Sequence, residues 1–301
     1  MEKQYSIFHI EGGLGKHVAA TAVARCIKNT HPDRELVIVC AWPEVFINLN
    51  FVDRVYRLGS VPYFYQDYID GKDSLIFKHE PYFTTEHVHK QLPLIKNWCK
   101  LYDLNYEGEK PELSFNLRQK QFGINKWGRN KPIMVIQTNG GPLEQQPYPY
   151  SWTRDIPFNI SQQLIQYYQE KYHIIQICRK EEQAIPGVEA VWGNMSNMEL
   201  FSLLLLSEKE ILIDSCLQHA SSALGKSSTV LWVGTSPKIF GYETHNNILA
   251  HIPDGNKLPD SYLFDFGFTG ALHECPFMDD NIFDINEIIS SIEDSNFNTN
   301  F

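Results

Sequence analysis

The sequence predicts an α/β protein built from two successive halves, each with a parallel sheet and flanking helices. In both halves, apolar runs as long as buried strands alternate with segments of helical periodicity. Each half opens with an apolar run that leads into a glycine-rich turn, at residues 11–15 and 137–141. The 301 residues suffice for about two domains of ordinary size. We expect a first domain over residues 1–125 and a second over 131–301, with the last helix packing back on the first domain.

The first half starts with the pattern of a βαβ unit. Residues 6–10 and 36–40 form apolar runs that predict buried strands, and residues 17–28 between them have helical periodicity. Residues 52–57 predict a third strand, and a helix is expected over 85–102. Because the connections are short, the unit should be right-handed and its sheet parallel.

The same alternation restarts in the second half, after a polar connector at residues 111–131. Ligands of open α/β sheets bind at the carboxyl ends of the strands, so both glycine turns are expected to face one interdomain cleft. The predicted strands of this half are 133–136, 173–178, 210–213 and 229–233, and the predicted helices are 160–171, 197–206 and 217–224.

Composition and charge exclude several classes of protein. Hydrophobic residues make up 43% of the chain and charged residues 21%, which indicates a packed core rather than disorder. The net charge of −10 disfavours nucleic acid as a partner, although a local basic groove is still allowed. The most apolar stretch, residues 200–206, is too short to cross a bilayer, and we expect no signal peptide. The six cysteines are scattered without a C-x-x-C pair, which argues against a zinc or disulfide scaffold and favours a cytoplasmic location.

The glycine turn at residues 12–16 (GGLGK) matches neither of two familiar phosphate-binding motifs. A P-loop would need a glycine at Ile10 and a Ser or Thr at His17. The dinucleotide fingerprint would need a small residue at Val18. The turn lets a ligand approach the backbone at a helix N-terminus, where an anion or a polar substrate is favoured. A purely structural strand-to-helix turn is the alternative.

A second group of polar residues follows the predicted strand at 210–213. Asp214 ends this strand, Ser215 and Cys216 begin a helix, and His219 lies one turn into it. This order suits a diphosphate on the backbone amides, with polar side chains that hold a ribose or a sugar. An Asp-Ser helix cap is also common in proteins without a ligand, so a structural role stays open.

Taken together, these motifs resemble family 9 glycosyltransferases, the heptosyltransferase group. The first glycine turn, its Ala-rich helix and residues 50–55 (NFVDRV) are similar to the family's N-terminal half. The resemblance covers residues 5–58 and 131–240 and implies a GT-B fold, with two Rossmann-like domains facing a cleft. The acceptor would bind mainly to the first domain and the nucleotide-sugar to the second. The second-half segments that carry the resemblance are 136–140 (IQTNG), 154–157 (RDIP), 194–200 (NMSNMEL), 214–225 (DSCLQHASSALG) and 231–237 (LWVGTSP).

The resemblance also implies inverting, metal-independent transfer, with a nucleotide-sugar as co-substrate and no bound cofactor. The absence of a D-x-D motif agrees with the metal-independent mechanism. The general base of the family is an aspartate directly after the first glycine turn, where this chain has Lys16. His17, whose ordinary pKa suits a base, is therefore the first candidate and Glu11 the second. Lys16 would then act electrostatically.

Donor binding is expected in the second half of the chain. Arg154 stands at the basic position of the family and could pair with the leaving phosphate. Cys216 replaces a glycine of the family signature, which adds a side chain where the backbone approaches the ligand. The candidate catalytic residues are His17, Glu11, Lys16 and Arg154; the donor-binding candidates are Thr138, Asn139, Gly140, Arg179, Asp214, Ser215, Cys216, Leu217 and His219; the acceptor-side turn is Gly12, Gly13 and Gly15.

We therefore expect a glycosyltransferase that moves a hexosyl, heptosyl or pentosyl group to a hydroxyl of a saccharide or glycolipid. Two alternatives stay open. The acceptor could be a hydroxymethylated DNA base, as in phages; the net charge counts against this reading, but the aromatic and histidine-rich segment 63–89 leaves room for base stacking. The lysine at position 16 also allows a nucleotide-sugar-binding protein without catalysis.

Overall fold

The chain divides into two compact units, Met1–Leu117 and Arg118–Phe301. Each unit contains a parallel sheet with helices, which confirms the predicted α/β class. The division falls before residue 125, because the helix that begins at Leu117 continues into the second unit. The structure, a computed structural model, describes residues 3–89, 91–140, 153–193, 195–251 and 281–293.

The first unit is built on a four-stranded parallel sheet in the order β3-β2-β1-β4. The central strands β1 and β2 are buried on both faces, which explains their continuous apolar runs. The edge strand β4 was not predicted, because only the last of its five residues is fully buried and its apolar run is short. The strands of this sheet are β1 (Gln4–Ile10), β2 (Glu35–Cys40), β3 (Arg54–Arg57) and β4 (Asp73–Phe77).

Helices cover the two faces of this sheet unequally. One face packs against α1 (Leu14–Thr30) and α4 (Leu94–Leu101), with the ring of Phe8 5.5 Å from that of Trp98 in an edge-to-face contact. The opposite face is covered in part by the five-residue α2 (Phe64–Tyr68).

The predicted single helix over 85–102 is wrong. The segment forms α3 (Thr85–Val88) and, after a break, α4. Pro93 stands directly before α4, and a proline in a helix interior would remove one backbone hydrogen bond and clash with the preceding turn. The residue before a proline also disfavours the helical conformation, so the helix must restart there.

The second unit is built on a six-stranded parallel sheet in the order β10-β9-β8-β5-β6-β7. The four predicted strands are confirmed and form its centre. The two edge strands were not predicted, because each is at most four residues long and partly exposed. The strands are β5 (Ile133–Gln137), β6 (His173–Ile177), β7 (Glu189–Val191), β8 (Lys209–Ile213), β9 (Thr229–Trp232) and β10 (Asn246–Leu249).

The segment predicted as a connector contains a helix, α5 (Leu117–Trp127). Its polar sequence hides a narrow buried side formed by Gly123 and Trp127. A Cβ atom at Gly123 would lie 2.8 Å from Cβ of Ser202, so only glycine allows α5 to approach α7 (Asn197–Leu206) this closely. The Trp127 indole N–H also donates to the Glu199 carbonyl at 3.0 Å. Residue Asn194, part of the segment that resembles the family's helix start, lies outside the described residues.

The remaining helices of the second unit are α6 (Phe158–Tyr168), α8 (Cys216–Ala223), α9 (Pro237–Phe240) and α10 (Ile285–Glu293). Within the second unit, α10 contacts α6 and β9, and Lys209 of β8 donates to the Ile292 carbonyl at 2.8 Å. Its apolar side chains Ile288 and Ile292 belong to the core of that unit.

A charged network is buried beside the central strand β8. The Glu210 carboxylate, 2% exposed, lies 3.2 Å from the Lys226 ammonium and accepts from the Ser207 and Ser228 hydroxyls. Lys226 also donates to two backbone carbonyls at the C-terminal end of α7, those of Leu204 and Ser207. Burial by itself would raise the pKa of Glu210, but the ammonium and the hydroxyls outweigh it and hold this pKa below its usual range. The Glu210 carboxylate is therefore ionised at pH 7 although it is buried.

We expect Lys226→Met to lower the free energy of unfolding by about 3–5 kcal/mol, because it leaves a buried carboxylate without its counter-charge. Urea unfolding followed by circular dichroism measures the change. Lys180→Met is the matched control, since the Lys180 side chain is 52% exposed and 4.0 Å from Glu182, and should shift stability by less than about 0.5 kcal/mol. Equal stability of the two variants would contradict a structural role for the network.

Candidate functional site

Two of the predicted donor segments meet at the carboxyl edge of the second sheet. β5 and β8 are neighbours, so the turn at 138–140 and the start of α8 leave the sheet side by side. Gln137, 4% exposed, joins them. Its side-chain oxygen accepts from the Ser215 hydroxyl at 2.6 Å, and its amide donates to the Asn139 carbonyl at 3.2 Å. Gln137 was not among the predicted site residues.

The start of α8 is organised by its cap. The Ser215 hydroxyl oxygen accepts from the Leu217 N–H at 3.1 Å and thus pairs one of the amides at the helix N-terminus. Asp214, 6% exposed, precedes the cap directly. Burial raises the pKa of the Cys216 thiol to about 12, so this thiol is neutral at pH 7 and is not a nucleophile.

Arg154 lies beside this helix start with its charge only loosely paired. Its Nε is 3.7 Å from the Asp214 carboxylate, longer than a hydrogen bond, and a third of its side chain is exposed. A Cβ atom at Gly140 would lie 3.8 Å from Cδ of Arg154, which places the arginine against the turn as well. Three predicted residues, Arg154, Asp214 and Gly140, therefore occupy one place at the strand ends.

The turn at 138–140 is held by an ion pair that the sequence did not reveal. The Asp155 carboxylate accepts from the Asn139 side chain at 2.9 Å and from the Gly140 N–H at 3.0 Å. The Arg179 guanidinium forms a fork with the same carboxylate at 2.9 and 3.1 Å, and its Nε donates to the Gly140 carbonyl at 3.1 Å. The side chain of Arg179 is 7% exposed. This arginine therefore shapes the turn.

The backbone amides of this turn are largely engaged within the protein. The Thr138 N–H donates to the Ile177 carbonyl at 3.0 Å, and the Gly140 N–H is bound by Asp155. The Thr138 hydroxyl lies 2.9 Å from the Gln176 amide and 2.9 Å from the Asn139 side chain. The backbone N–H groups of Thr138 and Gly140 are thus bound within the protein and do not face an anion site in this structure.

His219 lies inside α8, 7% exposed, with Nδ1 2.7 Å from the Tyr242 hydroxyl. Burial lowers the pKa of His219 to about 4, and the nearby Asp214 only partly opposes this effect. The imidazole is therefore neutral at pH 7. A neutral imidazole can donate one hydrogen bond and accept another, which suits contact with a hydroxyl group better than with a phosphate.

The first glycine turn has the backbone that its sequence requires. Gly12 has φ of +95°, in the left-handed region that favours glycine, and its carbonyl accepts from the Trp42 indole at 3.1 Å. Gly13 is the N-terminal cap of α1 and carries no capping side chain. Gly15 lies within the first turn of α1 rather than in the loop before it.

His17 is fully buried, and its ring ties the turn to the sheet. The Ala41 N–H donates to Nε2 at 3.2 Å, so the proton of the neutral ring is on Nδ1, which donates to the Gly13 carbonyl at 2.9 Å. Burial lowers the pKa of His17, which keeps the ring neutral. Both nitrogens are thus engaged with backbone groups. This environment favours a structural role and argues against the prediction that His17 is the base.

Lys16 stands where the family has its aspartate, and it is paired. Its ammonium forms an ion pair with Glu80, its side chain is 10% exposed, and it lies 5.5 Å from the ring of Tyr82 and 5.6 Å from that of Trp98. Glu80 follows β4, the strand next to β1, so the carboxylate reaches the same sheet edge from another strand. The two residues are 64 positions apart in sequence, which is why no local pattern pointed to Glu80.

Glu11 is the most accessible carboxylate of this edge. It follows β1, its side chain is 55% exposed, and its Oε1 lies 3.7 Å from Nε2 of His9. Near the glycine turn, the Glu80 carboxylate forms an ion pair with Lys16, whereas the Glu11 carboxylate is open to solvent.

The described ranges contain neither a cluster of metal-ligand residues nor a helix suited to span a membrane. There, no three His, Cys, Asp or Glu side chains come together as a metal centre would require. None of the helices in that part of the chain combines the length and the apolar character needed to cross a bilayer. The five cysteines found there are free, and Cys275 lies outside the described residues.

Solved structures of family 9 glycosyltransferases share this fold. A family 9 glycosyl transferase from Veillonella parvula matches 97% of this chain and 97% of its own, with a TM-score of 0.67 and 10% identity. The E. coli ADP-heptose lps heptosyltransferase II matches 86% of this chain and 92% of its own, with a TM-score of 0.60 and 12% identity. The E. coli heptosyltransferase WaaC with ADP matches 88% and 99%, with a TM-score of 0.58 and 11% identity.

No family model matches the sequence, and no curated protein matches it at the sequence level. The two parallel sheets and these neighbours together define the GT-B class of folds. Within that class, the chain has the fold of the family 9 glycosyltransferases, the heptosyltransferase group, which confirms the fold that the motifs predicted.

The burial of His219 predicts a pH dependence of stability. Its pKa is about 4 in the folded chain and about 6.5 in the unfolded chain, so the unfolded state binds the extra proton between these values. Stability contributed by the neutral ring is present above about pH 6.5 and is lost as the pH falls towards 4, at about 1.4 kcal/mol per pH unit. In His219→Gln the slope of unfolding free energy against pH, from urea titrations, should be flatter by about that amount. Equal slopes would contradict a buried neutral imidazole.

Proposed function

We propose that the chain is a glycosyltransferase that moves a sugar from a nucleotide-sugar to an acceptor hydroxyl, with inversion and without a metal ion. The observation that carries this proposal is the loosely paired Arg154 next to the capped start of α8, at the ends of two adjacent strands. A fold hosts more than one chemistry, so the likeness to heptosyltransferases narrows the reaction class and this site supports it.

The donor diphosphate would bind at the start of α8. Backbone N–H groups and the helix dipole favour an anion there, and Arg154 brings a planar guanidinium that suits phosphate oxygens. As the bond between the sugar and the diphosphate breaks, negative charge grows on the leaving phosphate, and the same groups stabilise it. One structural neighbour was determined with ADP and another, TibC, with ADP-D-beta-D-heptose, so ADP is the first nucleotide to test.

The acceptor hydroxyl needs a base, and Glu11 is our choice. His17 has both ring nitrogens engaged, and Lys16 is a cation paired with Glu80. Glu11 would take the hydroxyl proton while the acceptor oxygen bonds to the sugar carbon and the diphosphate departs. This is one displacement, which inverts the configuration at that carbon. Lys16 would set the electrostatics of the edge through its pair with Glu80.

We expect Arg154→Met to weaken binding of ADP and of an ADP-sugar by about 10- to 100-fold, because a hydrogen bond to a charged group is lost. Isothermal titration calorimetry measures the affinity, after a thermal-shift screen of UDP, GDP, ADP and CMP. Ligand at 100 times Kd should add about 2.7 kcal/mol of stability. Arg118→Met, on the exposed side of α5, is the control and should bind as the wild type does. A wild-type chain that binds no nucleotide would refute the proposed function.

We expect Glu11→Gln to reduce kcat by about 100- to 10,000-fold and to leave donor affinity unchanged, because the amide cannot take the proton. Turnover is measured by release of the nucleoside diphosphate in the presence of saccharide and glycolipid acceptors. Glu107→Gln, an exposed carboxylate away from the turn, is the matched control. If Glu11→Gln keeps full activity and Glu80→Gln loses activity, Glu80 and not Glu11 is the base. Donor binding without any turnover in the wild type would favour the non-catalytic alternative.

A further inference from the structure

One face of the first sheet is only partly covered. Phe8 of β1 points to the side of α1 and α4, so Ile7 and His9 point to the other side. In the adjacent strand β4, Ile76 is paired with Ile7 in the parallel register and shares that face. The short α2 covers the Tyr5 end of this face, where Tyr68 packs edge-to-face on Tyr5 with the ring centroids 5.0 Å apart. The part next to the carboxyl edge remains open.

A pocket of about 750 Å³ occupies this open part. Its volume falls within the range of sites that bind small molecules. The Ile76 side chain is 57% exposed although it belongs to a strand. It therefore adds apolar surface on which an apolar part of a ligand could pack. The apolar lining includes Ile7, Val39, Val61, Phe64, Ile69 and Ile76.

Two ionisable side chains line the pocket within the described residues, His9 and Lys78. Burial and the nearby Lys78 lower the pKa of His9, so the imidazole is neutral and Lys78 carries the positive charge. Within the described ranges, Lys78 forms no ion pair, whereas Glu80 is paired with Lys16 and Glu11 lies next to His9. The pocket therefore combines an apolar floor with one unpaired cation.

We propose that this pocket binds a small amphipathic anion, with its apolar body on Ile7, Val39 and Ile76 and its carboxylate or phosphate at Lys78. His9 connects the pocket to Glu11, whose carboxylate is 3.7 Å from the imidazole. A ligand seated here can thus present a hydroxyl to the proposed base. The assignment of this ligand as the acceptor rests on the proposed function; the affinity of the pocket for an amphipathic anion does not.

Calorimetry with octyl phosphate, below its micelle concentration and without any nucleotide, tests the pocket. We expect one octyl phosphate to bind per chain. Octanol should bind at least about 10-fold more weakly, because it has no charge to pair with Lys78. Inorganic phosphate should not bind detectably, because it has no apolar part to bury. Lys78→Met should reduce octyl phosphate affinity about 10-fold, to the level of octanol. Ile76→Glu should reduce it at least about 10-fold, because a carboxylate enters the apolar floor. Lys72→Met, an exposed lysine of the same unit that does not line the pocket, should bind as the wild type does.

Equal affinity of the wild type for octyl phosphate and octanol, or equal loss in Lys78→Met and Lys72→Met, would overturn the proposal. Normal binding by Ile76→Glu would overturn it as well. The far-ultraviolet circular dichroism spectrum and the urea unfolding midpoint confirm that each variant is folded. If octyl phosphate binds and no nucleotide does, the pocket stands and the proposed function fails. Binding to vesicles that contain an anionic phospholipid, with the same loss in Lys78→Met, would assign the ligand to a lipid; binding of octyl phosphate alone would assign it to a free amphipathic anion.

Discussion

The proposed donor site of the second unit depends on the ion pair between Asp155 and Arg179. Both side chains are largely withdrawn from water, at 15% and 7% exposure, so removal of either would leave a poorly solvated charge without its partner. The fork leaves the carboxylate free to accept from Asn139 and Gly140, which fixes the turn after β5. Gln137 then couples the fixed turn to the cap of α8. Arg154 lies next to this helix start, with its Nε 3.7 Å from the Asp214 carboxylate and a third of its side chain exposed.

The first unit uses a histidine for a similar purpose. The ring of His17 joins the Gly13 carbonyl to the Ala41 N–H, so it links the glycine turn to the residue that follows β2. In both units an ionisable side chain, His17 in the first and Arg179 in the second, forms hydrogen bonds to backbone groups of a turn. The more accessible groups, Glu11 in one unit and Arg154 in the other, are the ones that act on the substrates in the reaction we propose.

The sequence predicted what depends on local pattern. The buried central strands stand out as apolar runs, and Asp214 and Thr138 were found because they directly follow such runs. The edge strand β4 and the helix α5 were not predicted, because each buries only one or two residues and gives no apolar pattern in the sequence. Glu80 and Gln137 were not predicted either, since their partners are 64 and 78 positions away. The chemical type of a residue does not show its hydrogen bonds: the ordinary pKa of a histidine suits a base, but only the fold shows that both ring nitrogens of His17 contact backbone groups.

The pairing of Lys16 with Glu80 makes these two positions interdependent. An aspartate at position 16, as the family resemblance implies, would place a second carboxylate beside Glu80. Two carboxylates in such proximity repel each other, because like charges disfavour each other's ionised form. An aspartate at position 16 would therefore be unfavourable in this chain unless position 80 changed with it. Positions 16 and 80 are thus coupled, and a reversal of charge at one of them is unfavourable without a matching change at the other.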